Sequence, residues 1–261
     1  MPSPQTSTPI GTRPVVLVTG AARRVGLVIA AEMARIGWDV ALHHHRSAPD
    51  EALAAVRALD AQARAFAADL ADEAACNALV PRVVADFGRL DAVVNNASLF
   101  VHDDVASFGF AAMESHWRAN TAPAIVLARA LHAHLSGRGA SGCVVNLVDQ
   151  KLWNPNPDYL SYTLSKAALE AATHLLARAL APVLRVAGVA PGVTLPTAGT
   201  MSDAQFEAAR AQTALGRSSS PDDVARAVRF LLESPAITGH TIVVDGGQHL
   251  VPQPRDVAFL V

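Results

Sequence analysis

The sequence predicts an α/β fold in which a doubly wound parallel sheet of about seven strands carries helices on both faces. Two patterns predict it: short apolar runs rich in Val and Leu, and longer segments with helical spacing that alternate with them. Unbroken apolar strands are buried on both faces, which is typical of parallel sheets covered by helices. The alternation along the whole chain predicts right-handed crossovers within one sheet. A chain of 261 residues, 51% of them hydrophobic, is large enough to bury one such core.

The elements follow in order along the chain. The predicted strands are Pro14–Thr19, Asp39–His43, Ala63–Ala67, Leu90–Asn95, Gly142–Val148, Leu184–Val189 and Thr241–Val244. The clearest helical segments between them are Val25–Ile36, Glu51–Asp60, Asp72–Phe87 and Tyr159–Leu180. Residues 1–12 are rich in Pro, Ser and Thr and are expected to form a flexible tail, whereas residues 13–261 are expected to form a single domain.

Composition excludes several classes of partner. A net charge of −2 gives no strong field for nucleic acid or an anionic membrane. No apolar run is long enough to span a bilayer, and the opening segment has no apolar core of the kind a signal peptide needs. Cys76 and Cys143 are too few for a disulfide framework and lack metal-ligand spacing. We expect a cytoplasmic protein that binds a small molecule and no metal.

A glycine turn follows the first predicted strand. Residues Gly20 to Gly26 connect this strand to a helix, and the turn lets the backbone approach a pyrophosphate at the helix N-terminus. Glycine is common in ordinary strand–helix turns as well. Because this turn follows the first buried strand and opens a helix, it favours a dinucleotide site on a Rossmann-type sheet.

The second strand ends in polar residues that bear on the choice of cofactor. An NAD enzyme is expected to carry an acidic residue here, but none occurs before Asp50. Arg46 offers a planar cation suited to a 2′-phosphate, and Ser47 is a second donor, which predicts NADPH. Asp69, after the third strand, has two open roles, adenine binding and helix capping. The run His43 to His45 has no carboxylate or Cys nearby in sequence, so a metal site is not expected.

Tyr162 and Lys166 stand four residues apart in a segment with strong helical character. This spacing places both on one helix face, one turn apart. A Lys ammonium close to a phenol favours the phenolate, which predicts a lowered Tyr162 pKa and proton exchange near neutral pH.

Together these motifs resemble the short-chain dehydrogenase/reductase family. The matching residues are Gly20-x-x-x-Arg24-x-Gly26, Asn95-Asn96-Ala97-Ser98, Tyr162-x-x-x-Lys166, Pro191-Gly192, Ile237-Thr238-Gly239 and Val244-Asp245-Gly246-Gly247. The resemblance implies a seven-stranded parallel sheet, a nicotinamide cofactor and a homotetramer. It also implies that Tyr162 is the acid/base, that Lys166 binds the nicotinamide ribose, and that Asn120 holds a water relay to Lys166. The residues then expected to bind the cofactor are Gly20, Arg24, Val25, His45, Arg46, Ser47, Asp69, Leu70, Asn96, Ala97, Ser98, Lys166, Pro191 and Gly192.

Three departures from the common family pattern resemble the pteridine reductases. Arg24 stands where most members have Gly, Ser98 where most have Gly, and Asp149 where most have Ser. Phe100 matches the aromatic residue that stacks on the pterin in that subgroup. The implied substrate contacts are those of Arg24, Ser98, Phe100, Asp149 and Tyr162.

Asp149 separates the possible functions. A Ser hydroxyl donates to a carbonyl oxygen, whereas a carboxyl group donates only when protonated and suits a proton relay to a C=N bond. The expectation is NADPH-dependent reduction of a dihydropterin or dihydrofolate. If Asp149 only caps a loop, a carbonyl or 3-oxoacyl-thioester reductase is the alternative. A non-catalytic nucleotide-binding regulator is a further alternative, although the chain retains both Tyr162 and Lys166.

Two segments outside these motifs carry weaker expectations. The Pro- and Thr-rich loop Val193–Ser202 is expected to cover the substrate, with Trp153 and Leu195 as candidate pocket residues. The tail His249–Val261 ends more apolar than a solvated terminus, which suggests docking on a neighbouring subunit.

Overall fold

The structure, a computed structural model, describes residues 13–196 and 201–260. Seven strands form one parallel sheet: β1 Val15–Val18, β2 Asp39–His44, β3 Ala63–Ala67, β4 Ala92–Asn95, β5 Gly142–Leu147, β6 Leu184–Pro191 and β7 Thr241–Val244. Their order is β3-β2-β1-β4-β5-β6-β7. The winding reverses between β1 and β4, and such a switch point is where doubly wound sheets bind their ligands. The predicted tail, residues 1–12, lies outside the described part of the chain.

Eight α-helices occur in the described ranges. They are α1 Arg24–Arg35, α2 Asp50–Arg57, α3 Glu73–Phe87, α4 Phe110–His116, α5 Ala122–Arg138, α6 Leu160–Ala179, α7 Asp203–Ala211 and α8 Pro221–Glu233. A π-helical turn, Trp117–Thr121, joins α4 to α5. No helix among the described residues is long and apolar enough to cross a bilayer.

The core lies on both faces of the sheet, as the unbroken apolar strands predict. Val16 and Val18 pack on one face with Ile29 of α1 and Val228 of α8, all fully buried. The strand residues that alternate with these, such as Val15 and Leu17, pack on the other face against α3 and α5. Because both faces are sealed, polar groups at the strand ends are the part of the sheet open to a ligand.

The predicted fold class is confirmed, and the element boundaries differ by a few residues. β6 runs on to Pro191, which carries that residue to the edge where β4 and β5 also end. α2 ends at Arg57 rather than Asp60, because Asp60 adopts a left-handed conformation (φ 59°) that terminates the helix. α6 begins at Leu160, since Tyr159 before it also has a positive φ of 56°.

Candidate active site

The turn after β1 is locked to the end of β4. Thr19 Oγ1 accepts hydrogen bonds from the backbone N–H groups of Asn96 and Ala97, each over 2.9 Å. Asn96 Nδ2 donates to Thr19 O over 2.8 Å. A Cβ on Gly26 would lie 2.4 Å from Gly20 O, so only glycine allows helix α1 to approach the turn this closely. The predicted residues Gly20, Asn96 and Ala97 therefore meet at the switch point, and Thr19 is a linking residue that no sequence motif singled out.

His43 supports the same turn from β2. Its Nδ1 accepts a hydrogen bond from Gly20 N over 3.1 Å, and its Nε2 lies 3.1 Å from Ala68 O. These contacts require the neutral tautomer with the proton on Nε2. Burial lowers the pKa of His43 to about 4. His43 is thus a neutral structural residue at the glycine turn.

The remaining polar residues after β2 and β3 lie next to this turn. The backbone oxygen of Ser47 is 3.0 Å from His44 Nδ1, which closes the loop around Arg46. His45 and Arg46 are exposed, and His45 Nε2 is 3.9 Å from Asp69 Oδ2. Leu70 is buried in the core beside them. Among the described residues, no group of three or more His, Cys, Asp or Glu could hold a metal ion.

Asp69 does not cap the helix that follows it. The N-cap of α3 is Asp72, whose Oδ1 accepts from Ala75 N over 2.7 Å. Asp69 Oδ1 accepts only the local N–H of Ala71, over 3.0 Å. The exposed carboxylate of Asp69 therefore faces solvent at the sheet edge, and of its two proposed roles the capping of α3 is wrong.

Arg24 occupies a strained position in the turn. Its φ is +55°, a left-handed conformation that favours glycine. Its guanidinium Nη2 donates to Pro196 O over 2.9 Å. An arginine held in this conformation joins the glycine turn to the loop after β6, and residues 197–200 of that loop lie outside the described chain.

Tyr162 and Asp149 form the chemical centre of the site. The Tyr162 hydroxyl donates to Asp149 Oδ2 over 2.6 Å, and Asp149 Oδ1 accepts from Lys151 N over 2.8 Å. Asp149 thus both caps the short 3₁₀ turn after β5 and bonds to the phenol. Capping and proton relay were alternatives at the level of sequence, and the structure shows both contacts.

The electrostatics of the pair differ from the expectation for a Tyr–Lys pair alone. Burial and the adjacent Asp149 carboxyl raise the pKa of Tyr162 well above its usual value. Burial likewise raises the pKa of Asp149, against the opposing effect of the bond from Tyr162. The predicted lowering of the phenol pKa by Lys166 is therefore wrong for this arrangement, because desolvation and a neighbouring carboxylate both disfavour the phenolate. The phenol is therefore held in its protonated form.

Lys166 lies on α6 one turn beyond Tyr162, as its spacing predicts. Its Nζ is 5.7 Å from the centre of the Tyr162 ring and donates to Leu147 O over 2.6 Å. Burial lowers the pKa of Lys166 to about 8. The ammonium is therefore oriented by the end of β5.

Asn120 lies in the π-helical turn, a distortion often found at functional sites. Its Nδ2 donates to Leu99 O and Ser165 Oγ, and its Oδ1 accepts from Leu99 N and Ser98 Oγ. These bonds tie the loop after β4 to α6. The water relay to Lys166 implied by the resemblance stays a prediction, since no direct bond joins Asn120 to Lys166 in the described contacts.

A cavity of about 530 Å³ opens where these elements meet, a volume typical of small-molecule sites. The predicted site residues that line it are Arg24, Val25, Asn96, Ser98, Phe100, Asp149, Tyr162, Lys166, Pro191 and Gly192. Leu195 also lines it, whereas Trp153 does not and is 42% exposed. The residues after β2 and β3 lie outside this cavity, along the neighbouring strand ends.

Phe100 forms an aromatic wall on one side of the cavity. Its ring stacks on Tyr159 at a centroid distance of 4.1 Å and meets the Tyr162 ring edge-on at 4.7 Å. The ring is 39% exposed and lines the cavity. A planar ligand stacked on it would lie beside the Tyr162–Asp149 pair.

Several pocket residues were not predicted. Gln248, next to β7, accepts from Val193 N through Oε1 over 3.1 Å and lines the cavity. Asp256, Val257 and Ala258 line it from the C-terminal tail. The tail therefore packs on its own chain, and its docking on a neighbouring subunit stays a prediction. Only its apolar composition signalled a buried role, and composition does not indicate the surface it covers.

The fold and the buried Tyr–Lys pair at the switch point define an oxidoreductase built on a Rossmann-type sheet. The chain belongs to the short-chain dehydrogenase/reductase family, since the family model described as enoyl-(acyl carrier protein) reductase matches residues 20–249.

Relatives of two kinds resemble the chain closely. The structure of FolM alternative dihydrofolate reductase 1 from Brucella canis, complexed with NADP, has a TM-score of 0.88 at 36% identity and covers 95% of this chain and 98% of that one. Pteridine reductase 1 of Leishmania tarentolae is 33% identical over 92% of this chain and 97% of its own length. The "granaticin polyketide synthase putative ketoacyl reductase 2" of Streptomyces violaceoruber is 34% identical over 91% and 97%. Overall similarity therefore does not choose between pterin and ketone substrates.

Proposed function

We propose that this protein is an NADPH-dependent reductase of dihydropterins, a class that includes dihydrofolate. The observation that carries the proposal is the 2.6 Å hydrogen bond from Tyr162 to Asp149. A ketone reductase needs a donor to the carbonyl oxygen, which a Ser hydroxyl supplies and an ionised carboxylate does not. A carboxyl group with a raised pKa instead suits protonation of a C=N nitrogen.

The residues present fit a dinucleotide. The close approach of Gly26 to Gly20 O clears the backbone for a pyrophosphate. Gln150 lines the cavity, and its buried Oε1 has no hydrogen-bond partner in the described protein, which leaves it free to accept from a hydroxyl or amide of a ligand. Arg46 and Ser47 would hold the 2′-phosphate, and Lys166 the nicotinamide ribose. NADPH, when bound, supplies a hydride. The Brucella canis protein forms a complex with NADP, which supports the same cofactor here.

In the proposed mechanism the substrate takes its proton from Tyr162, and Asp149 replaces that proton along the Tyr162–Asp149 hydrogen bond. As the ring carbon of a C=N bond is reduced, the Tyr162 hydroxyl donates its proton to the adjacent nitrogen. Asp149, when protonated, returns a proton to the phenolate oxygen along their hydrogen bond, and solvent in the cavity reprotonates the carboxylate. The positive charge of Lys166 stabilises the transient phenolate. Phe100 fixes the plane of the heterocycle, so that the reacting nitrogen lies near Tyr162.

A 3-oxoacyl-thioester reductase is the second candidate, favoured by the similarity to the Streptomyces violaceoruber protein. The two candidates differ in what they need from the position of Asp149. Reduction of a thioester ketone would improve in Asp149→Ser, whereas reduction of a dihydropterin would be lost.

The direct test follows NADPH oxidation with dihydrobiopterin, dihydrofolate and an acetoacetyl thioester. We expect turnover with a dihydropterin, and its loss by about 10²-fold or more in Tyr162→Phe. Wild-type turnover confined to the thioester, or absent with all three substrates, would contradict the proposal.

A further inference from the structure

The C-terminal segment, residues 255–259, forms one side of the catalytic cavity. Asp256, Val257 and Ala258 line the same cavity as Asp149 and Tyr162. Val257 is buried, with 6% of its surface exposed. Ala258 N donates to the side chain of Asp256 (Oδ1, 3.1 Å) and Phe259 N donates to its backbone oxygen (2.8 Å), which gives the segment a defined 3₁₀ turn. It is therefore an ordered wall of the site.

A buried carboxylate fastens the segment to the loop before α6. Arg255 Nη2 is 2.7 Å from Asp158 Oδ1, and Asp256 N donates to Asp158 Oδ2 over 2.7 Å. Asp158 is only 2% exposed, and the hydrogen bond from Arg255 lowers its pKa. A carboxylate this deeply placed depends on those donors. Asp158 and Arg255 thus hold the start of the segment in place.

Lys151 joins the segment to the catalytic loop. Its Nζ donates to Asp256 Oδ2 over 3.1 Å and to Asn156 Oδ1 over 2.5 Å, and the residue is 3% exposed. Its backbone N–H donates to Asp149 Oδ1. One residue therefore bonds to the catalytic carboxyl through its main chain and to the C-terminal segment through its side chain.

The end of the segment supports the aromatic wall. The centre of the Phe259 ring lies 5.1 Å from the centre of the His102 ring and 6.1 Å from the centre of the Tyr159 ring. Tyr159 in turn stacks on Phe100. Tyr159 keeps a strained positive φ, so packing from Phe259 helps to hold its ring behind Phe100.

We infer that the C-terminal segment is a specificity-determining wall that positions the substrate, with Val257 and Ala258 against it and the Arg255–Asp158 and Lys151–Asp256 pairs as its fastenings. The inference rests on the proposed function only for the identity of the substrate. The described contacts of the segment go to residues such as Lys151, Asp158 and Tyr159, and none goes to the glycine turn, so its loss should affect substrate binding and leave the cofactor site intact.

Arg255→Ala tests the fastening, with Arg64→Ala as a matched control. Both arginines are about half exposed (50% and 49%), each pairs with an aspartate, and each lies over a phenylalanine ring, at 5.0 and 5.4 Å. Arg64 lies on β3 and is not among the residues that line the cavity. We expect Arg255→Ala to raise the KM for the substrate about three- to ten-fold, with the KM for NADPH unchanged within about two-fold. A chain ending at Pro254 should raise the KM for the substrate further, and Arg64→Ala should change neither the KM for the substrate nor the KM for NADPH.

The kinetic result separates the two proposals. If dihydropterin is reduced and Arg255→Ala leaves its KM unchanged, the wall is overturned and the proposed function stands. If only the thioester is reduced, the proposed function fails, and the same shift in the KM for the thioester would still support the wall.

Amide hydrogen exchange of the NADPH-loaded enzyme tests the wall without any turnover. Residues 256, 258 and 259 donate backbone hydrogen bonds, so their amides should be protected in the wild type and in Arg64→Ala and lose protection in Arg255→Ala. Complete exchange of these amides in the wild type at the earliest time would overturn the inference, whichever substrate the enzyme uses.

Discussion

The Tyr162 hydroxyl and the Asp149 carboxylate are joined by a 2.6 Å hydrogen bond inside a cavity that also holds Lys166. In the resting site the phenol donates this hydrogen bond and the carboxylate accepts it. It also couples the two groups, so that neither titrates independently. The pair therefore shares its protons as one coupled unit, and the Tyr162 ring lies 4.7 Å from the Phe100 ring between centroids.

Asp149→Asn should lower kcat for dihydropterin by about 10²-fold, since an amide cannot pass a proton to Tyr162. Burial raises the pKa of Asp149, so in the wild type the protonated carboxyl persists to higher pH than in an exposed aspartate. The rate should fall as pH rises through the apparent pKa of the pair, and this limb should be missing in Asp149→Asn. Steady-state kinetics across pH measures both effects. An unchanged kcat in Asp149→Asn would remove the carboxyl from the proton path.

Arg24→Gly should separate stability from activity. Glycine relieves the positive φ of 55°, which predicts a rise in the free energy of unfolding of up to about 1 kcal/mol. Loss of the guanidinium should raise the KM for NADPH about ten-fold. Arg23→Gly is the control, since Arg23 is also exposed but has extended backbone (φ −161°). Arg23 is the N-cap of α1, where glycine is tolerated, so this change should alter stability by roughly 0.3 kcal/mol or less. Urea unfolding and initial-rate kinetics check the pair, and equal stability changes in both variants would contradict the strain at Arg24.

His43→Asn should reduce the pH dependence of stability. The pKa of His43 is lowered to about 4 in the folded protein, so between about pH 6.5 and 4 the unfolded chain binds the extra proton. Stability therefore falls as the pH drops through this window, by up to about 3 kcal/mol from this residue alone. Asparagine keeps an acceptor for Gly20 N but does not titrate. Unfolding free energies at pH 7 and pH 4.5 test this, and an identical difference in wild type and variant would show that His43 is not responsible.

Arg46→Ala should weaken NADPH selectively. The exposed guanidinium lies at the end of β2, where a 2′-phosphate is expected, so its loss should raise the KM for NADPH about ten-fold. The KM for NADH, which lacks that phosphate, should change by less than about two-fold. Arg57→Ala, on the outer helix α2, serves as the control because its side chain binds only Ala63 O in the described contacts. Equal effects on both cofactors would contradict the assignment.

Local patterns in the sequence are enough to predict the sheet and the residues that carry the chemistry. Val and Leu runs such as β1 can be buried on both faces only in a covered parallel sheet, and the spacing of Tyr162 and Lys166 fixes them one helical turn apart. These are local properties, set by side-chain period and strand–helix order. The position of Asp149 after β5 placed it at the same edge for the same reason.

The charge states of these groups and the residues that enclose them depend on packing between distant parts of the chain. The pKa of Tyr162 depends on burial and on an aspartate 13 residues earlier, so the spacing to Lys166 alone gave the wrong direction. His43 as a support of the glycine turn and Lys151 as a link to Asp256 join residues 23 and 105 positions apart. Such contacts arise from packing between distant segments, and desolvation depends on all the surrounding atoms, which no local pattern records.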